Sequence, residues 1–224
     1  MNTRARVLIS ACLLGEPVRY DGGDKRSEAC LALGRALELV SLCPEVELGM
    51  GVPREPIDLR AVEGRLRLLG RSGRDWSPAF REWAQARLEG LGPIHGALLK
   101  SKSPSCGLEV PHHGGEPPRG PGLWVQALLA ADPDLPCLDE RACADPAARE
   151  AFRRRVQARA DLERCADPDL PAFHREHAQL LGACAAVDPG PLLQDPPRYR
   201  GAVRAGLGRP AEAAELEALR RDQG

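Results

Sequence analysis

Aromatic side chains are scarce in this chain of 224 residues, at 4% of the composition. That argues against a base-stacking platform of the kind RNA-recognition sheets present. A dominant sign of charge is also missing. The formal balance is −1, so no global field draws nucleic acid or an anionic membrane, and any such attraction must be local. No run approaches the ~18 apolar residues of a membrane span. Arg4, Arg6 and the stretch Val7 to Cys12 imitate a short export signal. The apolar run is too short for the ~7–15 residues such a signal needs, so a cytoplasmic protein without membrane association is expected. Lysine is nearly absent, with Lys25, Lys100 and Lys102 set against a background of arginine. The C-x-x-C spacing of compact metal sites is absent too. Eight cysteines in a chain of this length are too sparse for a secreted disulfide scaffold. Reduced thiols are the expectation, some of them metal ligands.

What is present is an alternation of apolar strands and amphipathic helices. Arg6 to Ala11 and Leu37 to Leu42 read as strands, as does Ile94 to Lys100, with Leu135 to Leu138 as a last short one. Ser27 is placed to cap a helix reaching Gly34 to Ala36, and Ser77-Pro78 to start another through Leu88. Ile57 to Leu59 and Arg65 to Leu68 suggest an antiparallel excursion. Pro111 to Gly122 reads as a mobile loop with His112 and His113 exposed, and Leu123 to Ala131 as a helix. Strands alternating with helices imply right-handed crossovers and a parallel, Rossmann-like sheet. Beyond Ala144 the texture becomes helical, from Asp145-Pro146 to Leu162 or Arg164, from Asp169 to Cys184, and from Pro210 to Arg221. The expected organisation is an α/β domain over residues 1–144 and a small all-helical appendage over 145–224. The cluster Arg153, Arg154, Arg155 and Arg159 reads as a solvated helix face. His174 and His177 share a helix face beside Phe173, Leu180 and Leu181, which favours packing over metal binding.

The chemistry gathers at strand ends. One strand ends in Ser10-Ala11-Cys12, the next in Ser41-Leu42-Cys43-Pro44, the third leads to Ser101-Lys102-Ser103-Pro104-Ser105-Cys106-Gly107. Ligands of open parallel sheets sit outside the carboxyl ends of the strands, so Cys12, Cys43 and Cys106 are expected to converge. Three thiolates fall short of the four ligands of a structural zinc site. They suit a cubane iron–sulfur cluster with one iron lacking a protein thiolate, an open position for a soft atom such as sulfur. Glu45, two residues after Cys43, is the candidate acid or base. Ser103 and Ser105 are candidate hydroxyl donors, and Lys102 a candidate electrophile or phosphate contact. Lys100 has no assigned role. Cys30, Cys137, Cys143, Cys165 and Cys184 lack the strand-end pattern and read as structural.

The blocks Val7 to Gly15, Val18 to Gly22, Cys43-Pro44-Glu45, Pro53-Arg54 and Leu98 to Gly107 together resemble the thiouracil desulfidase family over about residues 5–140. The resemblance implies a [4Fe-4S] cluster held by Cys12, Cys43 and Cys106. It implies replacement of the sulfur of 4-thiouracil by oxygen without net redox change, with Glu45 and Ser103 as the catalytic pair. Ser105, Lys102, Tyr20 and Arg54 are the expected substrate contacts. Glu150 to Val156 and Phe173 to Leu181 are similar to a helical accessory domain fused to this family in desulfidases of tRNA 4-thiouridine. The expected substrate is therefore a thiolated base, foremost in tRNA, handled by a monomer or dimer. The alternatives are a salvage enzyme for the free base and a non-catalytic iron–sulfur sensing module. For tRNA, Arg153, Arg154 and Arg159 are expected on the same side as Cys106.

Overall fold

The computed structural model describes residues 4–184 and 189–222. Val7-Leu8-Ile9 has no polar face, which suits a strand covered on both sides. It forms β1 (Arg6–Ser10). A 3-10 turn over Ala11–Leu14 follows and closes on Gly15 at φ 93°, a left-handed conformation that favours glycine. The Ser27 hydroxyl caps α1 (Glu28–Leu33) by accepting the Cys30 N–H at 3.3 Å, as expected. The chain continues through β2 (Glu38–Leu42) and α2 (Pro44–Glu47) to the antiparallel hairpin of β3 (Ile57–Val62) and β4 (Arg65–Gly70). Next come α3 (Ser77–Leu91), β5 (Gly96–Leu99) and a short antiparallel pair, β6 (Val110–Pro111) with β7 (Arg119–Gly120). After α4 (Leu123–Ala131), β8 (Cys137–Asp139) and α5 (Glu140–Cys143), the rest is helical. It comprises α6 (Pro146–Arg164), α7 (Leu170–Glu176), α8 (Ala178–Cys184), α9 (Pro196–Gly208) and α10 (Ala213–Asp222).

Among the described residues the main sheet has four parallel strands in the order β2-β1-β5-β8. The order reverses between β1 and β5, which is where such sheets open a crevice at their carboxyl edge. Leu8, Ala97 and Leu99 face one core with Phe80, Ala84, Trp124 and Val125 of α3 and α4. Val7, Ile9 and Leu98 face the other, with Cys30 and Leu33 of α1, Cys143 of α5, and Phe152 and Val156 of α6. Further along α6, Ala158 and Leu162 belong to a third core with Phe173, Tyr199, Val203 and Leu207. A division at residue 144 thus falls just ahead of a helix that both cores share. A Cβ on Gly96 would lie 2.5 Å from Val156 and 3.1 Å from Phe152, a measure of how closely α6 rides on β5.

Four local expectations are corrected. The Ser77 hydroxyl does not cap α3; it accepts the Leu68 N–H at 2.7 Å, tying the helix start to β4. The stretch read as a mobile loop carries the β6–β7 pair. Within it His112 is buried, its Nε2 3.2 Å from the Pro121 carbonyl, while His113 is exposed. Arg155 and Arg159 are not on a solvated face. Arg155 is buried against Glu215 and the Arg209 carbonyl, and Arg159 against Asp132. Finally, α9 was not anticipated. Its two leading prolines occupy the first turn, where a missing N–H costs nothing, and the Asp195 side chain caps it.

Candidate active site

The elements deliver Cys12 in the turn after β1, Cys43 at the residue preceding α2, and Cys106 seven residues beyond β5. All three line one cleft of about 460 Å³ at the carboxyl edge of the sheet. None is in a disulfide. Burial, reinforced by the neighbouring Cys43 sulfur, pushes the Cys12 thiol up to about 12. Burial also raises Cys43, and it raises Cys106 strongly, with the charges of Glu45, Cys43 and Cys12 adding to it. The thiols are therefore close enough for each thiolate to oppose the next. A bound cationic centre relieves that opposition, so three free, desolvated thiols whose thiolates would repel one another are a donor set that fits metal. Among the described residues no three His, Cys, Asp or Glu side chains gather tightly enough for one ion. A cubane instead spreads its thiolates over separate irons, and the donor set fits that group.

Beside the thiols, Glu45 and Ser103 come together. Four donors converge on the Glu45 carboxylate. Ser105 Oγ donates to Oε1 at 3.0 Å and Ser103 Oγ at 3.4 Å; Arg54 Nε donates to Oε2 at 3.0 Å, with its Nη2 on the same oxygen. The Ser103 hydroxyl also accepts the N–H groups of Cys106 at 3.1 Å and Ser105 at 3.3 Å, which ties its direction to the backbone of the cysteine loop. Two residues expected to touch substrate are engaged within the protein. Ser105 is fully buried behind the cleft wall, where its hydroxyl reaches Glu45. Arg54 borders the cleft, but its guanidinium is held by Glu45 and by the Gly51 carbonyl at 2.9 Å, with 5% of the side chain exposed. Tyr20 and Lys102 are exposed at the rim, Lys102 at φ 60°. Lys25 and Arg71 are exposed there as well.

Two residues given no role by the sequence support the wall, Ser10 within the cleft lining and Glu140 behind it. Ser10 Oγ accepts the Lys100 N–H at 3.0 Å and hydrogen-bonds the Cys106 thiol. Glu140 accepts from Lys100 Nζ at 2.5 Å, Ser101 Oγ at 2.5 Å and the Ser101 N–H at 2.7 Å. The signal for both was topological. Each ends a parallel strand or follows it directly, so each emerges at the edge that holds the cysteines.

The arginine cluster of α6 is elsewhere. Arg153 and Arg154 share Glu150 and line a separate cleft of about 720 Å³ between α6, α7 and α8, together with Asp161, Phe173 and His177. His177 stacks on Phe173 with ring centroids 4.4 Å apart, in keeping with a packing role. No described helix is long and apolar enough to cross a membrane.

Comparison with known proteins points one way. Residues 7–140 match the model of the 2-thiouracil desulfurase family. The uncharacterized protein YbbK of Bacillus subtilis (strain 168) is 30% identical over 136 residues, covering 56% of this chain and 90% of that protein. Among solved structures, a [4Fe-4S]-dependent thiouracil desulfidase, TudS, is similar with a TM-score of 0.51 and 34% identity, over 62% of this chain and 92% of its own. The matched stretch spans Cys12 to Glu140 and ends before α6 begins.

Proposed function

The chain belongs to the 2-thiouracil desulfurase family, and from that premise we propose that it removes sulfur from a 4-thiouracil-type base. Thiocarbonyl and water give carbonyl and hydrogen sulfide, so no electrons are gained or lost. The observation that carries the reading is the single cleft joining three free thiols to Glu45 and Ser103. A [4Fe-4S] cluster held by Cys12, Cys43 and Cys106 supplies, when bound, an iron without a protein thiolate, a Lewis acid suited to soft sulfur.

The protein's own groups do the rest. Glu45 Oε1, the oxygen facing Ser103, takes a proton from the water that replaces sulfur. Arg54 and Ser105 fix that carboxylate so that its reacting oxygen points into the cleft. The Ser103 hydroxyl, with its acceptor side filled by the N–H groups of Ser105 and Cys106, turns its hydrogen toward Glu45 or toward the ring oxygen that forms. Tyr20 at the rim offers a face for the pyrimidine ring. Residues 1–144 carry the chemistry, and 145–224 form a helical accessory unit. Eight free cysteines suit a reducing compartment, the cytoplasm.

On the substrate's carrier, the α6 arginines give no support to tRNA, because Arg155 and Arg159 are buried in ion pairs and Arg153 and Arg154 line a different cleft. A second reading still has an observation behind it. Lys25, Arg71 and Lys102 stand exposed at the rim, so a base attached to phosphate, as 4-thiouridine in tRNA is, meets cations there. The test is anaerobic reconstitution followed by incubation with 2-thiouracil, 4-thiouracil and thiolated tRNA, reading loss of thiocarbonyl absorbance and release of sulfide. Cys106→Ala is expected to lose bound iron and turnover together. Full iron and full turnover in that variant would sink the assignment of the site. Steep salt dependence with tRNA would favour the second reading.

A further inference from the structure

The loop that carries Cys106 needs clamps. It has six residues, Lys100 to Ser105, between the end of β5 and the cysteine, is broken by Pro104, and holds Lys102 in the left-handed region. That conformation costs a non-glycine residue about 1–2 kcal/mol, so the surroundings must impose it. The far end is held by α4. The Leu123 N–H donates to the Pro104 carbonyl at 3.1 Å, and the Trp124 N–H to the Ser105 carbonyl at 3.0 Å. The near end, at Lys100 and Ser101, is held by the Ser10 hydroxyl, which accepts the Lys100 N–H, and by one carboxylate. All three hydrogen bonds that Glu140 accepts come from those two adjacent residues.

The position of Glu140 invites a plainer explanation, an acidic residue in the first turn of a short helix. The hydrogen bonds exclude it. Asp139 caps α5, accepting the N–H groups of Arg141 at 3.0 Å and Ala142 at 2.8 Å, and the Glu140 carboxylate turns away from the helix to the loop. The topology explains the reach. Asp139 is in register with Leu99 across the parallel β5–β8 pair, so the residue after each strand emerges beside the other. Ser101 is buried, and without Glu140 its N–H would lose its partner. The same carboxylate holds the Lys100 ammonium where its charge bears on the Cys12 thiol.

Building on the proposed desulfidase reading, we propose that Glu140 is a positioning residue: it fixes the Lys100–Ser101 corner and through it the placement of Cys106 and Ser103 against Glu45. Glu140→Gln leaves one acceptor oxygen where two served three donors. In the metal-free protein, amide hydrogen exchange at Ser101 to Cys106 is expected to accelerate at least about tenfold, while amides of β1 and α9 keep their rates. In the reconstituted protein, kcat is expected to fall roughly 10–100-fold with KM within about twofold, the pattern of misplacement rather than lost binding. Ser101→Ala, which removes one donor and keeps the carboxylate, is expected to give a smaller local acceleration and carries the test if the first variant does not fold. Wild-type exchange rates at Ser101 to Cys106 in both variants would overturn the proposal, and so would a uniform acceleration across the sheet, which marks general stability. A wild-type enzyme that turns over no thiolated base would remove the functional reading, while the exchange result still decides whether Glu140 holds the loop.

Discussion

At the scale of single residues, Glu45 is the most heavily bonded group in the cleft. Its carboxylate gathers two hydroxyls and a guanidinium while remaining mostly out of water. An ion pair this enclosed is costly to break, because removing one partner leaves the other charge buried. Arg54→Met is therefore expected to lower stability by about 3–5 kcal/mol, read from urea denaturation, and to lower turnover as the carboxylate loses its direction. A change under about 1 kcal/mol would show that Glu45 finds water in place of Arg54. What the sequence showed of this site was its inner ring. Cys12, Cys43, Cys106, Glu45 and Ser103 stand out because reactive side chains recur at strand ends. What it hid was the partnering. Arg54 and Tyr20 look alike as polar rim residues, yet one is folded inward onto a carboxylate and the other is exposed. Glu140 lies about forty residues from its partners with no local motif, and becomes visible once β8 is placed beside β5.

At the scale of elements, the site depends on how strand ends meet helix starts. Gly122, the residue preceding α4, sits against the cysteine loop so closely that a Cβ there would lie 2.5 Å from the Ser105 carbonyl and 2.6 Å from that of Pro104. Both neighbours are backbone atoms, so no side-chain rotation relieves the contact. Gly122→Ala is expected to push the loop off α4, at a cost of about 1–3 kcal/mol for overpacking, and to lower iron retention more than its effect on the melting temperature suggests. Unchanged iron content would mean that the loop is placed by its near end alone. Elements were legible in the sequence where one physical signal decides them. The apolar run Val7 to Ile9 makes a buried strand, and Ser27 caps its helix through its own hydroxyl. They were not legible where a distant partner competes. Ser77 has the right residue type and position for a cap, but the unpaired Leu68 N–H of β4 takes its hydroxyl. His112 reads as exposed from its Gly- and Pro-rich surroundings, and the pairing of β6 with β7 turns it inward.

At the scale of the whole molecule, α6 joins the parallel sheet to the helical segment, and carboxylates secure several of its contacts. His95 accepts the Arg6 N–H at Nδ1, which leaves Nε2 as the protonated nitrogen facing Glu163 of α6 at 3.3 Å. Burial, the largest influence on Glu163, raises its pKa, but His95 and Arg159 outweigh it and the net shift is downward. Glu140 behaves alike, with burial overcome by Lys100 and Ser101. Glu150 is lowered by its bonds from Arg153 and Arg154. A carboxylate whose folded pKa lies below its unfolded value binds fewer protons in the folded state. Its stabilisation is fully present above the unfolded pKa, near 4.5 for glutamate, and is lost as pH falls through the folded one. Stability from these groups should therefore be level between about pH 7 and 5 and decline below about pH 4.5. The ceiling is about 1.4 kcal/mol per pH unit for each group, and solvent screening at these partly exposed positions keeps the slope below it. Urea midpoints at pH 7, 5, 4 and 3 measure the decline. Glu163→Gln should reduce both the stability at pH 7 and the steepness below pH 4.5, since the variant has one proton fewer to take up on unfolding. Stability that rises between pH 5 and 3.5 would show instead that these carboxylates are destabilised as anions, and that α6 is held to the sheet by Phe152 and Val156 without help from its charges.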